Sequence, residues 1–240
     1  SLVVGGMVWL KMTNVTKRTI VDLSGLGLDQ IEETGEEFRI GCMSTLRQIE
    51  THQGLNQYFG GIFRECTRHI VGVQMRNCAT VGGSIYSRFG FSDILTCMMA
   101  LDTYVELYHG GIMPLSEFAK RPVRRDDKDI LVRVIIKKDG RKAAYTTQRN
   151  SSTDFPLLAC CVSRRGSNWY VAVGARPSKA QVVTITDDGY DSLAQLAREA
   201  ADSFTYGTNT RGSSRYRRQL ASVYIRRLME RLTGRSVTIG

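Results

Sequence analysis

Two short segments of this chain place paired glycines directly after an apolar run, a pattern typical of backbone sites for anions. The first is Leu2-Val3-Val4-Gly5-Gly6, and the second is Thr80-Val81-Gly82-Gly83-Ser84. Glycine tolerates a left-handed backbone and lets a ligand come close to the chain. Successive exposed N–H groups form an anion-binding concavity. Two such segments facing each other would hold the two phosphates of a dinucleotide, with added hydroxyl donors from Thr80 and Ser84.

Paired glycines are a weak signal when they stand alone. The 23 glycines form adjacent pairs at positions 5–6, 60–61, 82–83 and 110–111, where chance predicts about two pairs. Ordinary turns therefore remain an alternative interpretation. The chain has no G-x-G-x-x-G after a predicted strand and no G-x-x-x-x-G-K-[ST], which excludes the Rossmann fingerprint and the P-loop.

The remaining reactive side chains offer little chemistry of their own. The 6 cysteines contain no C-x-x-C pair, and the 3 histidines are scattered. We therefore predict no metal site on this chain, and we interpret the thiols as core residues of a protein from a reducing compartment, the cytoplasm. No G-x-S-x-G motif accompanies a histidine, so we name no catalytic side chain.

Four strings of residues together resemble one known family. They are Leu2–Gly6 with Leu10–Met12, Asn77–Ile94, Gly174–Pro177 and Gly212–Leu220. In this order they are similar to the FAD-binding (medium) subunit of the molybdenum hydroxylases, the family of xanthine dehydrogenase and carbon monoxide dehydrogenase. Because four separate strings match in the right order, the resemblance is specific.

The resemblance implies a role for each matched position. Backbone amides of residues 3–8, which we term the first glycine loop, would wrap the FAD pyrophosphate. Residues 80–84, the second glycine loop, would form the opposing phosphate site, and Asp93 would accept hydrogen bonds from the adenosine ribose. Apolar side chains of Ile70 and Leu131 would lie near the flavin rings. The implied cofactor-binding residues are Val3, Val4, Gly5, Gly6, Met7, Val8, Ile70, Thr80, Val81, Gly82, Gly83, Ser84, Ser87, Asp93 and Leu131.

The same resemblance implies an electron relay across several subunits. A molybdopterin-binding large subunit would oxidise a substrate, and a small subunit with [2Fe–2S] clusters would pass the electrons on. FAD on this chain would receive them and transfer them to NAD⁺ or another acceptor. The protein would position and tune the flavin, which carries the redox chemistry.

The chain departs from the family at several positions. Arg88-Phe89-Gly90-Phe91 stands where small residues and a proline usually precede the Ser-Asp pair, and Thr146 stands where a lysine is common. We expect these changes to affect the flavin potential and the tightness of binding, because backbone amides do not depend on side chains. The family also has a strand and a helix before the first glycine loop, so we expect an N-terminal element to be missing.

Short strands and helices must position the two loops in the first half of the chain. We predict a helix of about ten residues from the capping box Thr45-x-x-Gln48. Residues 77–85 are predicted as a strand-like run broken by glycines. The other predicted elements are strands at 2–4, 20–23, 38–42 and 103–108 and helices at 63–70 and 94–101.

The second half has turn signals typical of hairpins. Asp139-Gly140 predicts one hairpin between strands 130–137 and 143–148, and Arg164–Ser167 predicts a second. Ser192 and either Ser213 or Ser214 are predicted to cap two helices. The inward stripe of the last helix is predicted as Leu220, Val223 or Tyr224, Leu228 and Leu232.

These elements predict an α+β fold with two domains. Residues 1–139 would form the FAD-binding domain of mixed short strands and helices, with its N-terminal element missing. Residues 140–240 would form a C-terminal domain with a three-stranded antiparallel sheet and helices. No apolar stretch is long enough to predict a membrane span.

The net charge of +10 lies entirely in residues 121–240, where 23 Lys and Arg accompany 11 Asp and Glu. A basic half is consistent with a solvated surface, an acidic protein partner or nucleic acid. No zinc-finger, RNP or GXXG pattern is present, so we expect no nucleic acid. We hypothesise that Arg217, Arg218, Arg226 or Arg227 pairs with acidic residues of the first half or of a partner.

Two other functions remain open from the sequence. A stand-alone flavin oxidase with covalent flavin would need a His-x-Cys attachment pair, which the chain lacks. A basic nucleic-acid or protein-binding module without a cofactor is the alternative from a different class. The visible absorption spectrum of the purified protein separates these functions.

Overall fold

The computed structural model describes residues 2–14, 16–122 and 129–234. Its first element is a parallel pair of short strands, β1 (Leu2–Val4) and β2 (Ile20–Asp22). A single 3₁₀ turn, Leu10–Met12, lies in the connection between them. Strand β1 therefore leads directly into the first glycine loop, as the sequence predicts.

An antiparallel sheet and a set of short helices form the rest of the first half. The strands are β3 (Ile31–Glu33), β4 (Glu37–Gly41), β5 (Thr103–Leu107), β6 (Gly111–Pro114) and β7 (Leu131–Lys137). They are ordered β3-β4-β7-β5-β6. The helices are α1 (Leu46–Thr51), α2 (Gln53–Tyr58), α3 (Ile62–Thr67), α4 (Val73–Cys78), α5 (Val81–Tyr86), α6 (Asp93–Met99) and α7 (Leu115–Lys120).

Helix α1 begins with the predicted capping box. The Thr45 hydroxyl accepts a hydrogen bond from the Gln48 N–H at 3.2 Å, and the Gln48 side chain accepts one from the Thr45 N–H at 2.7 Å. The helix ends earlier than predicted, because His52 starts α2. Its ring nitrogen accepts a hydrogen bond from the Leu55 N–H at 3.1 Å.

The prediction of a strand-like run over residues 77–85 is wrong, because this segment is helical. The Thr80 hydroxyl accepts a hydrogen bond from the Gly83 N–H at 3.2 Å and caps α5. This local cap outweighs the strand preference of the β-branched pair Thr80-Val81. The second glycine pair therefore lies in the first turn of a helix.

The second half contains a four-stranded sheet where three strands were predicted. Its strands and helices are β8 (Lys142–Gln148), β9 (Leu158–Arg165), β10 (Asn168–Gly174), β11 (Gln181–Thr186), α8 (Leu193–Asp202) and α9 (Ser214–Thr233). The strands are ordered β11-β10-β9-β8, all antiparallel. The predicted hairpin between β7 and β8 is wrong: β4 and β5 occupy both edges of β7, so β8 pairs with β9 instead.

The four-stranded sheet is buried on both faces. On β8, Tyr145 packs into one apolar cluster with α1, α3 and α6, whereas its neighbour Ala144 packs into a second cluster with α8 and α9. The sheet is thus a shared wall between the halves of the chain. The change from one sheet to the other falls between Lys137 and Lys142. The division into domains at residue 139 remains a prediction.

Helix α9 buries a stripe that differs by about one position from the predicted one. Ala221, Ile225 and Leu228 are buried, Tyr224 is half-buried, and Val223 is exposed. Ser213 is the cap, with its hydroxyl accepting a hydrogen bond from the Tyr216 N–H at 3.2 Å. Within the described residues, no helix, α9 included, has both the length and the apolar character needed to cross a membrane.

Within the described residues, the arginines of α9 form no ion pair with the first half of the chain. Arg217 is fully buried and donates to the carbonyl oxygens of Leu157, Gly207 and Gly212. Arg218 pairs with Asp202 on the neighbouring helix α8, at 2.7 Å. The predicted pairing with acids of the first half is therefore wrong for these two arginines.

The exposed cations further along α9 have few acidic neighbours. Arg226 lies 3.8 Å from Glu230 on the same helix, and Arg227 forms no ion pair within the described residues. Arg235 lies outside the described residues. The pairing of Arg226 or Arg227 with a partner remains a prediction.

Candidate functional site

A cleft of about 1280 Å³ brings together residues from both halves of the chain. This is larger than the roughly 300–1,000 Å³ of sites for drug-sized ligands. Its walls come from the first glycine loop, the segment from α4 to α6, the start of β7 and the residues after β8. The cleft therefore suits a long ligand that contacts several elements.

Fourteen of the fifteen predicted site residues line this cleft, and Val81 is the exception. Val81 is fully buried in the first apolar cluster and points away from the cleft wall. Ile70 and Leu131 lie on the cleft, Ile70 between α3 and α4 and Leu131 at the start of β7. The fold thus brings together residues that are far apart in the sequence.

The glycines of the two loops are needed for close packing between chain segments. A Cβ on Gly6 would lie 1.6 Å from the Cys78 carbonyl oxygen, and one on Gly5 would lie 2.8 Å from the Thr80 hydroxyl. None of Gly5, Gly6, Gly82 and Gly83 has a positive φ. The expectation that these glycines supply left-handed backbone is therefore wrong. Met7 has that conformation instead, with φ 54°.

The first glycine loop presents unpaired backbone donors to the cleft. Within the described residues, no hydrogen bond is donated by the N–H groups of Gly5, Gly6, Met7 or Val8. These residues all line the cleft. Several adjacent free N–H groups form a site for an anionic group such as a phosphate. The first glycine loop therefore fits the pyrophosphate of a dinucleotide.

The second glycine loop uses its backbone donors within the protein. The N–H groups of Val81 and Gly82 donate to the carbonyl oxygens of Ser44 and Cys42, at 2.9 and 2.7 Å. Those of Gly83 and Ser84 donate to Thr80. The prediction of a second backbone anion site is therefore wrong for Val81–Ser84. What this loop offers the cleft is the Thr80 and Ser84 hydroxyls and the bare surface of Gly83.

Asp93 is buried at the side of the cleft and already has two partners. The Tyr145 hydroxyl donates to its Oδ1 at 2.6 Å, and Arg149 Nη2 donates to its Oδ2 at 2.6 Å. Burial raises the pKa of Asp93, and the charge of Arg149 opposes the rise. The carboxylate therefore links α6 to β8 and to the residues that follow β8. Its role toward a ribose remains a prediction, and each oxygen retains a lone pair for it.

Arg149 is a cleft residue that the sequence analysis missed. Its side chain is nearly buried, and its Nη1 donates to the Asp154 carbonyl oxygen. Its Nε is buried and has no hydrogen-bond partner among the described residues. Thr146 shares a sheet face with Ala144, which packs in the second cluster, whereas Arg149 reaches the cleft. A positive group therefore does lie at the cleft. It is Arg149, three residues after Thr146, the position where the family commonly has a lysine.

Four aromatic side chains on the cleft wall were also missed. Trp9, Phe89, Phe91 and Phe155 pack in a continuous cluster, which we term the aromatic wall. Phe89 and Phe91 belong to the segment that departs from the family pattern. This departure was the sequence feature that could have pointed to them. Within the described residues, no group of three His, Cys, Asp or Glu side chains is arranged to hold a metal ion.

Comparisons with known proteins agree with this geometry. The chain is 27% identical over 233 residues to the nicotine 6-hydroxylase medium subunit of Paenarthrobacter nicotinovorans, covering 87% of this chain and 80% of that protein. Quinoline 2-oxidoreductase from Pseudomonas putida 86 shares the fold, with a TM-score of 0.82, 19% identity and coverage of 97% of this chain and 90% of that chain.

Carbon monoxide dehydrogenase from Hydrogenophaga pseudoflava, in a form that lacks the Mo-pyranopterin moiety of the molybdenum cofactor, also shares the fold. Its TM-score is 0.81 at 17% identity, with coverage of 98% of this chain and 90% of that chain. Residues 1–137 match the family described as "FAD binding domain in molybdopterin dehydrogenase". The matched segment covers more than half of the chain and contains both glycine loops, and the chain therefore belongs to this family of FAD-binding domains.

Proposed function

We propose that this chain is the FAD-carrying electron-transfer subunit of a multi-subunit molybdenum hydroxylase. The observation that carries the proposal is the row of free N–H groups at residues 5–8, opposite the Thr80 hydroxyl in a cleft of about 1280 Å³. A pyrophosphate needs several convergent donors, and backbone donors supply them without a charged side chain.

The proposed roles of the residues follow from their positions along the cleft. The first glycine loop donates hydrogen bonds to the pyrophosphate, and Thr80, Ser84 and Ser87 add hydroxyl donors. Asp93 accepts a hydrogen bond from the adenosine ribose through a remaining lone pair. Ile70 and Leu131 provide apolar contacts for the flavin rings. FAD, when bound, supplies the redox chemistry, because its ring system exchanges electrons singly or as a hydride.

The fixed charges of the cleft affect two properties of a bound flavin, its affinity for the protein and its reduction potential. Arg149 is anchored to Asp93 and to the Asp154 carbonyl, so its charge cannot move away. Burial lowers the pKa of the neighbouring His69, and the positive charges of Arg68 and Arg149 lower it further. His69 is therefore neutral at physiological pH, and Arg149 is the fixed cation on this part of the wall.

We further propose two partners and an acceptor. A molybdopterin-binding large subunit and a [2Fe–2S] small subunit deliver electrons, and NAD⁺ or another acceptor receives them. The medium-subunit name of the relative from Paenarthrobacter nicotinovorans supports a complex of several subunits. Six free thiols support a reducing compartment, and we place the complex in the cytoplasm.

The first test is whether the purified chain holds FAD. We expect visible flavin absorption bands and release of FAD on denaturation. Gly6→Ala places a Cβ 1.6 Å from the Cys78 carbonyl oxygen, so the first glycine loop must shift and its N–H groups leave their positions. We therefore expect the purified variant to carry less flavin than wild type. The matched control is Gly35→Ala, because a Cβ on Gly35 has no neighbour within 4 Å. A colourless wild-type chain would instead support a binding module without cofactor.

The second test concerns assembly. A tagged chain expressed with its genomic neighbours is expected to purify with two further proteins, one containing molybdenum and one containing iron. Metal analysis of the gel-filtration peak measures both. A lone chain that transfers electrons from a reduced substrate without partners would contradict the proposed relay, while leaving FAD binding intact.

A further inference from the structure

The aromatic wall is an unusual surface for a protein to leave accessible. Trp9 is 42% exposed and Phe155 is 41% exposed, although both are large apolar residues. Both line the cleft together with Phe89 and Phe91. Accessible apolar patches in a cleft mark binding sites. The aromatic wall therefore suits a ligand group that is flat and largely apolar.

The rings are arranged as a supported platform. Phe89 and Phe91 are stacked, with centroids 5.0 Å apart and an interplanar angle of 11°. Trp9 packs on this pair at 5.1 and 5.6 Å, and Phe155 packs on Phe91 at 4.5 Å. The two half-buried phenyl rings thus support the more exposed indole and phenyl rings. A planar ligand meets the outer rings without rearrangement of the inner pair.

The position of the wall indicates which half of a dinucleotide it meets. Trp9 directly follows the first glycine loop, so it lies next to the free N–H groups. Phe89 and Phe91 lie in the chain between Ser87, which is assigned to the pyrophosphate, and Asp93, which is assigned to the adenosine ribose. Ile70 and Leu131, assigned to the flavin rings, lie after α3 and in β7 and are not part of the aromatic wall.

A chain of polar contacts holds Phe155 in place. Arg211 donates to both carboxylate oxygens of Asp154, at 2.8 and 3.1 Å, and its guanidinium lies 5.3 Å from the Phe155 ring centroid. Arg149 binds the Asp154 carbonyl from the other side and is itself anchored to Asp93. The residue assigned to the ribose is therefore connected to the residue that closes the wall.

We propose that Trp9 and Phe155, supported by Phe89 and Phe91, form the binding site for the adenine ring of FAD. The inference rests on the proposed FAD function and adds side chains to it that the family pattern does not contain. Stacking of a base on an aromatic side chain contributes a factor of about 5 to 100 in affinity. Because the stacking partner is adenine, the wall distinguishes FAD from FMN.

The test separates the two halves of the cofactor. Flavin is removed from the wild-type chain and from the Trp9→Leu/Phe155→Leu variant, and the Kd of each for FAD, FMN and ADP is measured by calorimetry. The variant is expected to lose roughly 5- to 100-fold in affinity for FAD and ADP and none for FMN. Tyr108→Leu is the control, because Tyr108 is 70% exposed but lies off the cleft.

A spectroscopic readout tests contact directly. The chain has 2 tryptophans, so Trp169→Phe leaves Trp9 as the only one, and ADP should quench its fluorescence saturably. Since Trp169 is fully buried, the calorimetric comparison provides a second measurement that does not require this variant. Equal losses for FAD and FMN, or no quenching by ADP, would overturn the adenine assignment while FAD binding stands. Failure of the wild-type chain to bind any flavin would overturn the proposed function itself.

Discussion

The two glycine loops have nearly the same sequence pattern and opposite structures. In the first glycine loop, four consecutive N–H groups from Gly5 to Val8 donate to nothing within the described residues. In the second, the N–H groups from Val81 to Ser84 all donate to nearby protein oxygens. One loop therefore leaves its backbone donors available, and the other uses them to hold its own shape.

The difference follows from what precedes each glycine pair. β1 ends at Val4 and pairs only with β2, and beyond Val4 the N–H groups of the loop meet no acceptor within the described residues. Thr80 instead bridges to Thr45 and caps α5, which is packed against β4. The two loops therefore contribute different features to the cleft. The second glycine loop provides a rigid part of its wall, and the first glycine loop provides the free N–H donors.

The largest expected effect comes from removing the ion pair behind the second glycine loop. Arg76 on α4 donates to both oxygens of Glu50 on α1, at 2.9 and 3.2 Å, and both side chains are nearly buried. Glu50→Gln would leave the buried Arg76 without its counter-charge, which costs about 3–5 kcal/mol. Urea unfolding measures the loss. Glu65→Gln is the control, since its pair with Arg68 is exposed and is expected to contribute under about 1 kcal/mol.

The next effect separates two adjacent glycines of the second loop. A Cβ on Gly82 would lie 2.7 Å from the Cys42 carbonyl oxygen, so Gly82→Ala is expected to destabilise the fold by about 1–3 kcal/mol. A Cβ on Gly83 meets only the Thr80 hydroxyl, at 3.3 Å. Gly83→Ala is expected to stabilise α5 by up to about 1 kcal/mol and to weaken FAD binding, because it adds a methyl group at the cleft. Melting temperatures and FAD affinities of the two variants should therefore change in different ways, and equal destabilisation by both would contradict the assignment.

Local signals in the sequence were sufficient to predict several helix starts. Thr45, Ser192 and Ser213 each cap the helix that follows, and a cap depends on residues only three positions apart. Strand pairing was harder to predict from the sequence. The partner of β8 depends on β4 and β5 occupying the edges of β7, and a turn signal at Asp139-Gly140 carries no information about that.

The residues of the candidate site also differ in whether the sequence could predict them. Its glycine loops could be predicted because each is a contiguous string that matches a family. Arg217 was expected to pair with acidic residues, yet it is buried and donates to three carbonyl oxygens, which only the fold brings together around it. The aromatic wall combines positions 9, 89, 91 and 155. No local pattern relates these residues, since their rings meet only after both halves of the chain have folded.

A smaller effect is expected from the hydroxyl that connects the two loops. The Thr80 side chain caps Gly83 and lies within 2.8 Å of the position that a Cβ on Gly5 would take. Thr80→Val keeps the shape but removes the cap, at a cost of about 1 kcal/mol. Thr80→Ser keeps the hydroxyl and should retain most of the stability. If valine and serine give the same melting temperature, the hydroxyl does not contribute to the rigidity of the second loop.

The smallest expected effect concerns pH and the residues opposite the first glycine loop. The hydrogen bonds from Arg211 hold the pKa of Asp154 below its ordinary value, which is about 3.9 in unfolded chains. Because the folded pKa is the lower one, the pair stabilises the fold fully above about pH 4, and this contribution is lost as the pH falls through the folded value. The urea midpoint of wild type should therefore exceed that of Asp154→Asn at pH 6, and the difference should shrink as the pH falls below about 4. Both side chains are partly exposed, so added salt should reduce the difference at pH 6. Equal urea midpoints for wild type and Asp154→Asn at pH 6 would show that Asp154 holds Phe155 through its backbone carbonyl and Arg149 alone.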